Sequence, residues 1–196
     1  MRIIAGRFRG QSLNSPKDDS IRPTSDRMRE SLFNILSHRL RHQAIGDNDP
    51  DGPFAGLHML DLFAGTGAFG LEALSRGAAH VTFVENAPQS LALLKSNLAK
   101  LKATAHANLL AVDATRLPKA QRPADVIFLD PPYHENLAIP ALQSLQKGGW
   151  IKPSGLIIVE SDSKSILPPV AGLVMDDSRA IGKSRLWFFR TESPSS

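Results

Sequence analysis

The sequence predicts an α/β fold, a mostly parallel sheet with an antiparallel hairpin at one edge. Three observations lead there. From Leu57 onward, apolar stretches of strand length alternate with segments of helical periodicity. A glycine-rich loop, "LDLFAGTGAFG", stands between the first such strand and the first such helix. The tail "GLVMDDSRAIGKSRLWFFR" reads as two strands around Gly182-Lys183, an edge hairpin.

The elements follow in order. "RIIAGRFRGQSL" mixes short apolar and basic stretches around Gly6 and Gly10, which predicts a small hairpin. "RPTSDRMRESLFNILSHRL" reads as a helix preceded by Pro23 and capped by Thr24 or Ser25. Met28, Leu32, Ile35, Leu36 and Leu40 form its apolar face, and Arg27, Arg29 and Arg39 its other face. Residues 44–56, rich in Asp, Asn, Gly and Pro, are expected to be a surface loop. Then come the strand "LHMLDLF", the helix "AFGLEALSRG" ending at Gly77, and the strand "HVTFVE". The helix "PQSLALLKSNLAKL" opens with Pro88 in its first turn. "NLLAVD" and "DVIFLD" are strands, "NLAIPALQSLQKG" a helix and "GLIIVES" a strand. The final "SPSS" is expected to fray. The chain thus divides into a basic segment over 1–43, the loop, and a main domain over 57–192.

Composition narrows the class. With 196 residues, 42% of them hydrophobic, and a mean hydropathy of −0.15, one core of good size is expected. No apolar run approaches a membrane span, and "MRIIAGRFRG" lacks the apolar core of a secretory signal. The absence of cysteine excludes disulfides and thiolate metal sites and fits a cytoplasmic protein. Six scattered histidines give no metal-ligand spacing. Charge is unevenly placed: residues 1–42 hold nine Lys/Arg against four Asp/Glu, whereas the remainder holds 14 against 15. Arginine dominates the basic end, and its planar fork can donate two bonds to one phosphate. A polyanionic partner such as nucleic acid is expected, with Arg2, Arg7, Arg9, Arg22, Arg27 and Arg29 as candidate backbone contacts. At least one of Arg22, Arg27 and Arg29 is expected to pair instead with Asp26 or Glu30. A large exposed apolar face is not evident, so a monomer is expected.

The glycine loop predicts a ribonucleoside site. Gly65, Gly67 and Gly70 have G-x-G-x-x-G spacing after a strand and before a helix. Such glycines allow a tight turn, close backbone approach to a ligand, and close helix–strand packing. Glu85 ends the next strand, where a carboxylate can accept the hydroxyl protons of a ribose. Asp61 separates two ligands that share ribose and adenine. An acid before the first glycine would repel a pyrophosphate but suits the cationic amino group of S-adenosylmethionine. Asp113, after the third strand, can accept from the adenine amine, or it can cap the turn "DATRLP". Phe63, Ala64 and Thr66 complete the loop, with backbone contacts to the ligand expected.

The chemistry is expected at "VIFLDPPY". Its strand brings Asp130, Pro131, Pro132 and Tyr133 to the edge where the glycine loop lies. An exocyclic base amine is a poor nucleophile because its lone pair is delocalised into the ring. An acceptor held against its N–H protons stabilises the positive charge that develops during attack on a sulfonium methyl. Asp130 and the carbonyl of Pro131 are the candidate acceptors. The prolines fix φ and present no N–H donors, and Tyr133 offers a face on which an extruded base can stack. A nucleophilic side chain or metal is not required. Trp150 and "LWFFR" are expected in the core, and His134 is not assigned a proton-transfer role.

These segments resemble a known family. "DPPY" after a glycine loop is similar to the motif of amino-group methyltransferases of nucleic-acid bases. "MRIIAGRFRGQSL", "RPTSDRMRESLFNIL", "LDLFAGTGAFGLEALSRGA" and "VIFLDPPY" resemble the RsmD family, from Met1 to about Glu160 in order and spacing. The resemblance implies a Rossmann-like seven-stranded sheet and S-adenosyl-L-methionine as donor. It implies the exocyclic N2 of a guanine in 16S rRNA as acceptor, in the small ribosomal subunit or its assembly intermediate. It places the cofactor on the 61–70 loop, Glu85 and Asp113, the guanine on Asp130 to Tyr133, and "RPTSDRMRE" beside them. The 41–57 loop is longer and more acidic than the family pattern, and "HENL" has no match in it. A DNA adenine-N6 or cytosine-N4 methyltransferase, and a non-catalytic ribosome-assembly factor, are the competing expectations; against the former, the short chain lacks an obvious target-recognition domain.

Overall fold

A computed structural model describes residues 1–15, 26–41, 52–132 and 135–192. The helix cap at Thr24 or Ser25, most of the 44–56 loop, Arg22, Tyr133 and His134 lie outside the described residues. The elements are α1 (Asp26–Arg41), β1 (His58–Leu62), α2 (Ala68–Ser75), β2 (His80–Val84), α3 (Pro88–Lys100) and β3 (Ala107–Leu110). They continue with β4 (Ala124–Leu129), α4 (Ala138–Gly148), β5 (Ile151–Asp162), β6 (Leu173–Ile181) and β7 (Ser184–Thr191).

The strands form one seven-stranded sheet in the order β3-β2-β1-β4-β5-β7-β6. The first five in that order run parallel, and β7 pairs antiparallel with both β5 and β6. The chain reverses after β3 to place β4 on the other side of β1, so the crevice above β1 and β4 is the switch point of the sheet. Every residue of β1 is buried, as expected of a strand covered on both faces. Alternation divides the core in two. Met59, Phe83, Phe128 and Ile158 pack with α1, α2 and α3, while Leu60, Val84, Leu129 and Val159 pack with α4.

A row of rings knits the first layer together: Phe33 of α1 stacks on Phe69 of α2 at 5.1 Å, and Phe69 on Phe128 of β4 at 4.3 Å. Burying each ring contributes on the order of 2–3 kcal/mol. Trp150 and Trp187 are core residues, their indole N–H groups donating to the Pro118 carbonyl and the Ser161 hydroxyl at 2.8 and 2.9 Å.

The N-terminal segment is less regular than a hairpin of two strands. Residues 1–3 and 11–13 exchange backbone bonds around a single bridge between Arg2 and Ser12. The N–H groups of Ile4, Ala5, Arg7 and Phe8 turn to α2 instead. Ile4 and Ala5 donate to the buried Glu72 carboxylate at 2.8 and 3.0 Å, and Phe8 donates to the Ser75 hydroxyl at 2.9 Å. Ile3 and Leu13 join the same core cluster as α1 and the sheet. The boundaries at 43 and 57 therefore stand as a proposal about roles.

Candidate active site

Between β1 and α2 the backbone turns sharply. Phe63 takes φ +58°, Gly65 +55° and Gly67 +81°. The glycines have different reasons to be glycine. A Cβ on Gly70 would lie 2.3 Å from the Phe83 ring and 2.8 Å from Val81, so α2 sits close on β2 only because Gly70 has none. A Cβ on Gly67 would lie 2.3 Å from Leu94 of α3. Gly65 would meet nothing nearer than the Phe63 carbonyl at 4.0 Å, so open space lies before it. Of the three, Gly65 alone has a geometry suited to close approach of a ligand.

Carboxylates mark the ends of successive strands. Asp61 is 2% exposed and accepts from the Gly70 N–H at 3.0 Å. Burial pushes its pKa well above the usual carboxylate range, the charges of Asp130 and Glu85 adding to the effect. Glu85 accepts from the Gly65 N–H at 2.7 Å and from those of Asn86 and Ala87 at 2.9 and 2.8 Å. Three of its roughly four acceptor positions are thus engaged, leaving about one for a ribose hydroxyl while the loop holds. Asp113 accepts from the Thr115 N–H and hydroxyl, both at 2.8 Å, which hold it below the usual range. It caps the short turn Ala114–Arg116, and so satisfies the turn-capping alternative.

An open cavity of about 970 Å³ gathers these groups. Asp61, Phe63, Ala64, Gly65, Thr66, Glu85 and Asp113 line one part of it, and Asp130, Pro131 and Pro132 another. Gly67 and Gly70 shape the loop from behind. A ligand with a sulfonium and an ammonium fits this donor set, because the carboxylates on the wall favour positive charge. Met28 and Ser31 of α1, Glu160 of β5, and Lys183 and Ser184 at the β6–β7 turn also line it. Met28 falls within "RPTSDRMRE", expected beside the site; Ser31, Glu160, Lys183 and Ser184 were not singled out as site residues. Glu160 had a readable signal, since "GLIIVE" ends in an acid just as "HVTFVE" does. A second cavity of about 580 Å³ adjoins, sharing Pro131, Pro132, Leu137 and Glu160. Among the described residues no cluster could hold a metal ion, and no helix is long and apolar enough to cross a membrane.

The arginines divide. Arg2, Arg7, Arg9 and Arg27 are exposed. Arg2 lies 3.8 Å from Asp26, Arg7 stands over the Phe8 ring at 4.6 Å, and Arg27 reaches the cavity wall. Arg29 corrects the expectation of RNA contact, for it is 1% exposed. It donates to the Arg2 carbonyl at 2.5 Å and to Asp26 at 2.9 Å, and lies 3.9 Å from Glu72. Helical periodicity explains the error: Arg29 precedes Leu32, Phe33 and Leu36 by three, four and seven positions, so it faces the core with them.

Comparison with known proteins agrees with this architecture. The family described as Conserved hypothetical protein 95 matches residues 1–190. Ribosomal RNA small subunit methyltransferase D of Haemophilus influenzae is 38% identical over 193 residues, covering 95% of this chain and 93% of its own. The protein of that name in Escherichia coli K12 is 39% identical over 171 residues, covering 87% and 79%. The solved structure of yhhF from Escherichia coli superposes with a TM-score of 0.79 at 32% identity, covering 98% of both chains. The fold is that of Rossmann-like class I methyltransferases. The chain belongs to the Conserved hypothetical protein 95 family, which is the RsmD family.

Proposed function

We propose that this protein transfers a methyl group from S-adenosyl-L-methionine to the exocyclic N2 of a guanine in 16S rRNA, acting as a cytoplasmic monomer during small-subunit assembly. Its relatives are named as rRNA methyltransferases, which supports the transfer of methyl groups to rRNA. One observation carries the finer reading: Asp130 and the glycine loop line a single cavity at the switch point of the sheet.

The cofactor, when bound, supplies a methyl group activated by its sulfonium. Asp61 would hold its amino group, Gly65 and the backbone of Phe63, Ala64 and Thr66 its amino-acid end, Glu85 the ribose and Asp113 the adenine amine. Asp130 and the Pro131 carbonyl would accept the N–H protons of the guanine amine and stabilise positive charge on nitrogen as the C–N bond forms and the C–S bond breaks. The two prolines keep competing donors away from that amine. Tyr133 would stack on the extruded base. Proton loss from the product nitrogen can go to water. Orientation then supplies much of the rate, because methyl transfer needs an in-line approach.

Digested 16S rRNA from cells with and without this protein is the direct test. Mass spectrometry is expected to find one N2-methylguanosine missing without it, and purified protein to label small-subunit particles from those cells. Label in duplex DNA instead would move the reading to a DNA methyltransferase, and no label anywhere to an assembly factor.

A further inference from the structure

We infer that Glu160 determines which base is accepted: its carboxylate takes the N1–H of the target guanine beside the amine held by Asp130. The inference rests on the guanine-N2 reading above and adds a residue that selects the base. In the parallel pairing of β4 with β5, Leu129 stands opposite Val159. One step further along each strand come Asp130 and Glu160, side by side at the carboxyl edge, where neighbouring strands lie about 4.8 Å apart. Both line the main cavity. In sheet order, Asp113, Glu85 and Asp61 stand at or near the carboxyl ends of β3, β2 and β1. Asp130 follows β4, and Glu160 lies near the end of β5. Asp61 and Glu85 bond the glycine loop; Asp130 lines the main cavity with Pro131 and Pro132, and Glu160 lines both that cavity and the adjoining one.

Glu160 is 3% exposed, and its Oε1 accepts from the Ser184 hydroxyl at 2.8 Å. That bond fixes the carboxylate but does not need its charge, since a glutamine oxygen could accept it equally well. Two neighbouring carboxylates facing one cavity favour a ligand edge that presents donors over one that presents acceptors. The Watson–Crick edge of guanine brings such donors, an N1–H next to the N2 amine. Two adjacent carboxylates match it, one on each nitrogen. Adenine, and any purine with a bare N1, turns a lone pair toward Glu160 instead and leaves a buried acceptor unmet.

The test uses small subunits reconstituted with 16S rRNA carrying either guanine or 2-aminopurine at the target position. 2-Aminopurine keeps the 2-amine but has an acceptor at N1. The wild-type protein is expected to methylate guanine with a kcat/KM at least about 100-fold higher, as sites built to accept a substrate N–H reject analogues that lack it. Glu160→Gln can donate to a bare N1, so its preference should shrink to within about 10-fold, with cofactor Kd and melting temperature unchanged. A purely structural role would leave that ratio where it was, and an unchanged ratio overturns the inference. Equal wild-type rates on the two bases overturn it without any variant. If wild-type protein leaves guanine itself unmethylated, the guanine-N2 reading fails and takes Glu160 with it. Methylated guanine without discrimination at N1 removes Glu160 alone.

Discussion

Asp61 is a buried carboxylate on the cavity wall, and its burial carries a stability cost. The folded chain holds its proton more tightly than the unfolded chain does. Below the ordinary carboxylate value of 3.8 both states are protonated and there is no penalty. As pH rises through the elevated folded value, the unfolded state ionises more readily, so stability is lost in that window and stays lost above it. Asp61→Asn keeps an acceptor for the Gly70 N–H and removes this penalty. Melting of the ligand-free variant is expected a few degrees above wild type at neutral pH and level with it near about pH 4. Calorimetry should show weaker S-adenosylmethionine binding by the same variant, and equal affinity would remove Asp61 from the cofactor site. Asp130→Asn preserves shape and takes away charge where we propose the amine is held. Single-turnover methyl transfer is expected to fall by about 10²–10³ while cofactor affinity changes little. Full turnover with intact cofactor binding would sink the role given to Asp130.

At the level of elements, α2 organises both the glycine loop and the N-terminal segment. Its first turn carries Gly70, which lets it lie on Phe83 and Val81. Gly65 and Gly70 should therefore fail differently. Gly70→Ala forces the Phe83 ring aside and is expected to cost about 1–3 kcal/mol in denaturant unfolding. Gly65→Ala meets no neighbour and bears only the strain of φ +55°, about 1 kcal/mol, yet it obstructs the cavity. Its signature is lost cofactor binding in a protein that still melts cooperatively. The second half of α2 carries Glu72, wholly buried, which accepts from the Ile4 and Ala5 N–H groups and from Arg76 at 2.7 Å, with Arg29 3.9 Å away. Glu72→Ala takes one of two carboxylates from the buried Arg29, leaves the Ile4 and Ala5 N–H groups without their acceptor, and frees the basic segment. A loss of about 3–5 kcal/mol is expected, with protease cleavage appearing first within residues 1–13. Cleavage elsewhere, with the segment still protected, would mean that Ile3 and Leu13 hold it without the carboxylate.

Across the whole molecule, one core holds both the basic N-terminal segment and the strands that border the cavity. Arg2, Arg7 and Arg9 belong to a segment fastened to α2, and Arg27 stands at the cavity wall, so a bound polyanion could be carried toward the cavity. Reversing Arg7 and Arg9 to Glu is expected to weaken RNA binding and to lower the slope of log K against log salt by about 0.7–0.9 for each lost phosphate contact. An unchanged slope in filter binding across salt concentrations would exclude them from the interface. Much of this was legible in the order of residues along the chain. Strand-length apolar runs, the Gly65-Gly67-Gly70 spacing, and the acids Asp61, Glu85, Asp113 and Asp130 are local patterns, and local patterns follow from backbone sterics and burial on both faces of a parallel strand. What the sequence determined by itself was thus the α/β alternation, the glycine loop and the strand-end acids. Only the tertiary structure decided which partners those groups meet. It turned Arg29 inward, because a basic residue on an apolar stripe is drawn under by its neighbours once Glu72 and Asp26 are there to receive it. It strapped the expected small hairpin onto α2, and it set Glu160 beside Asp130 through the pairing of β4 with β5. The physical reason is the same in each case: hydrogen bonds and ion pairs between distant segments depend on packing, and packing is settled only when the whole core closes.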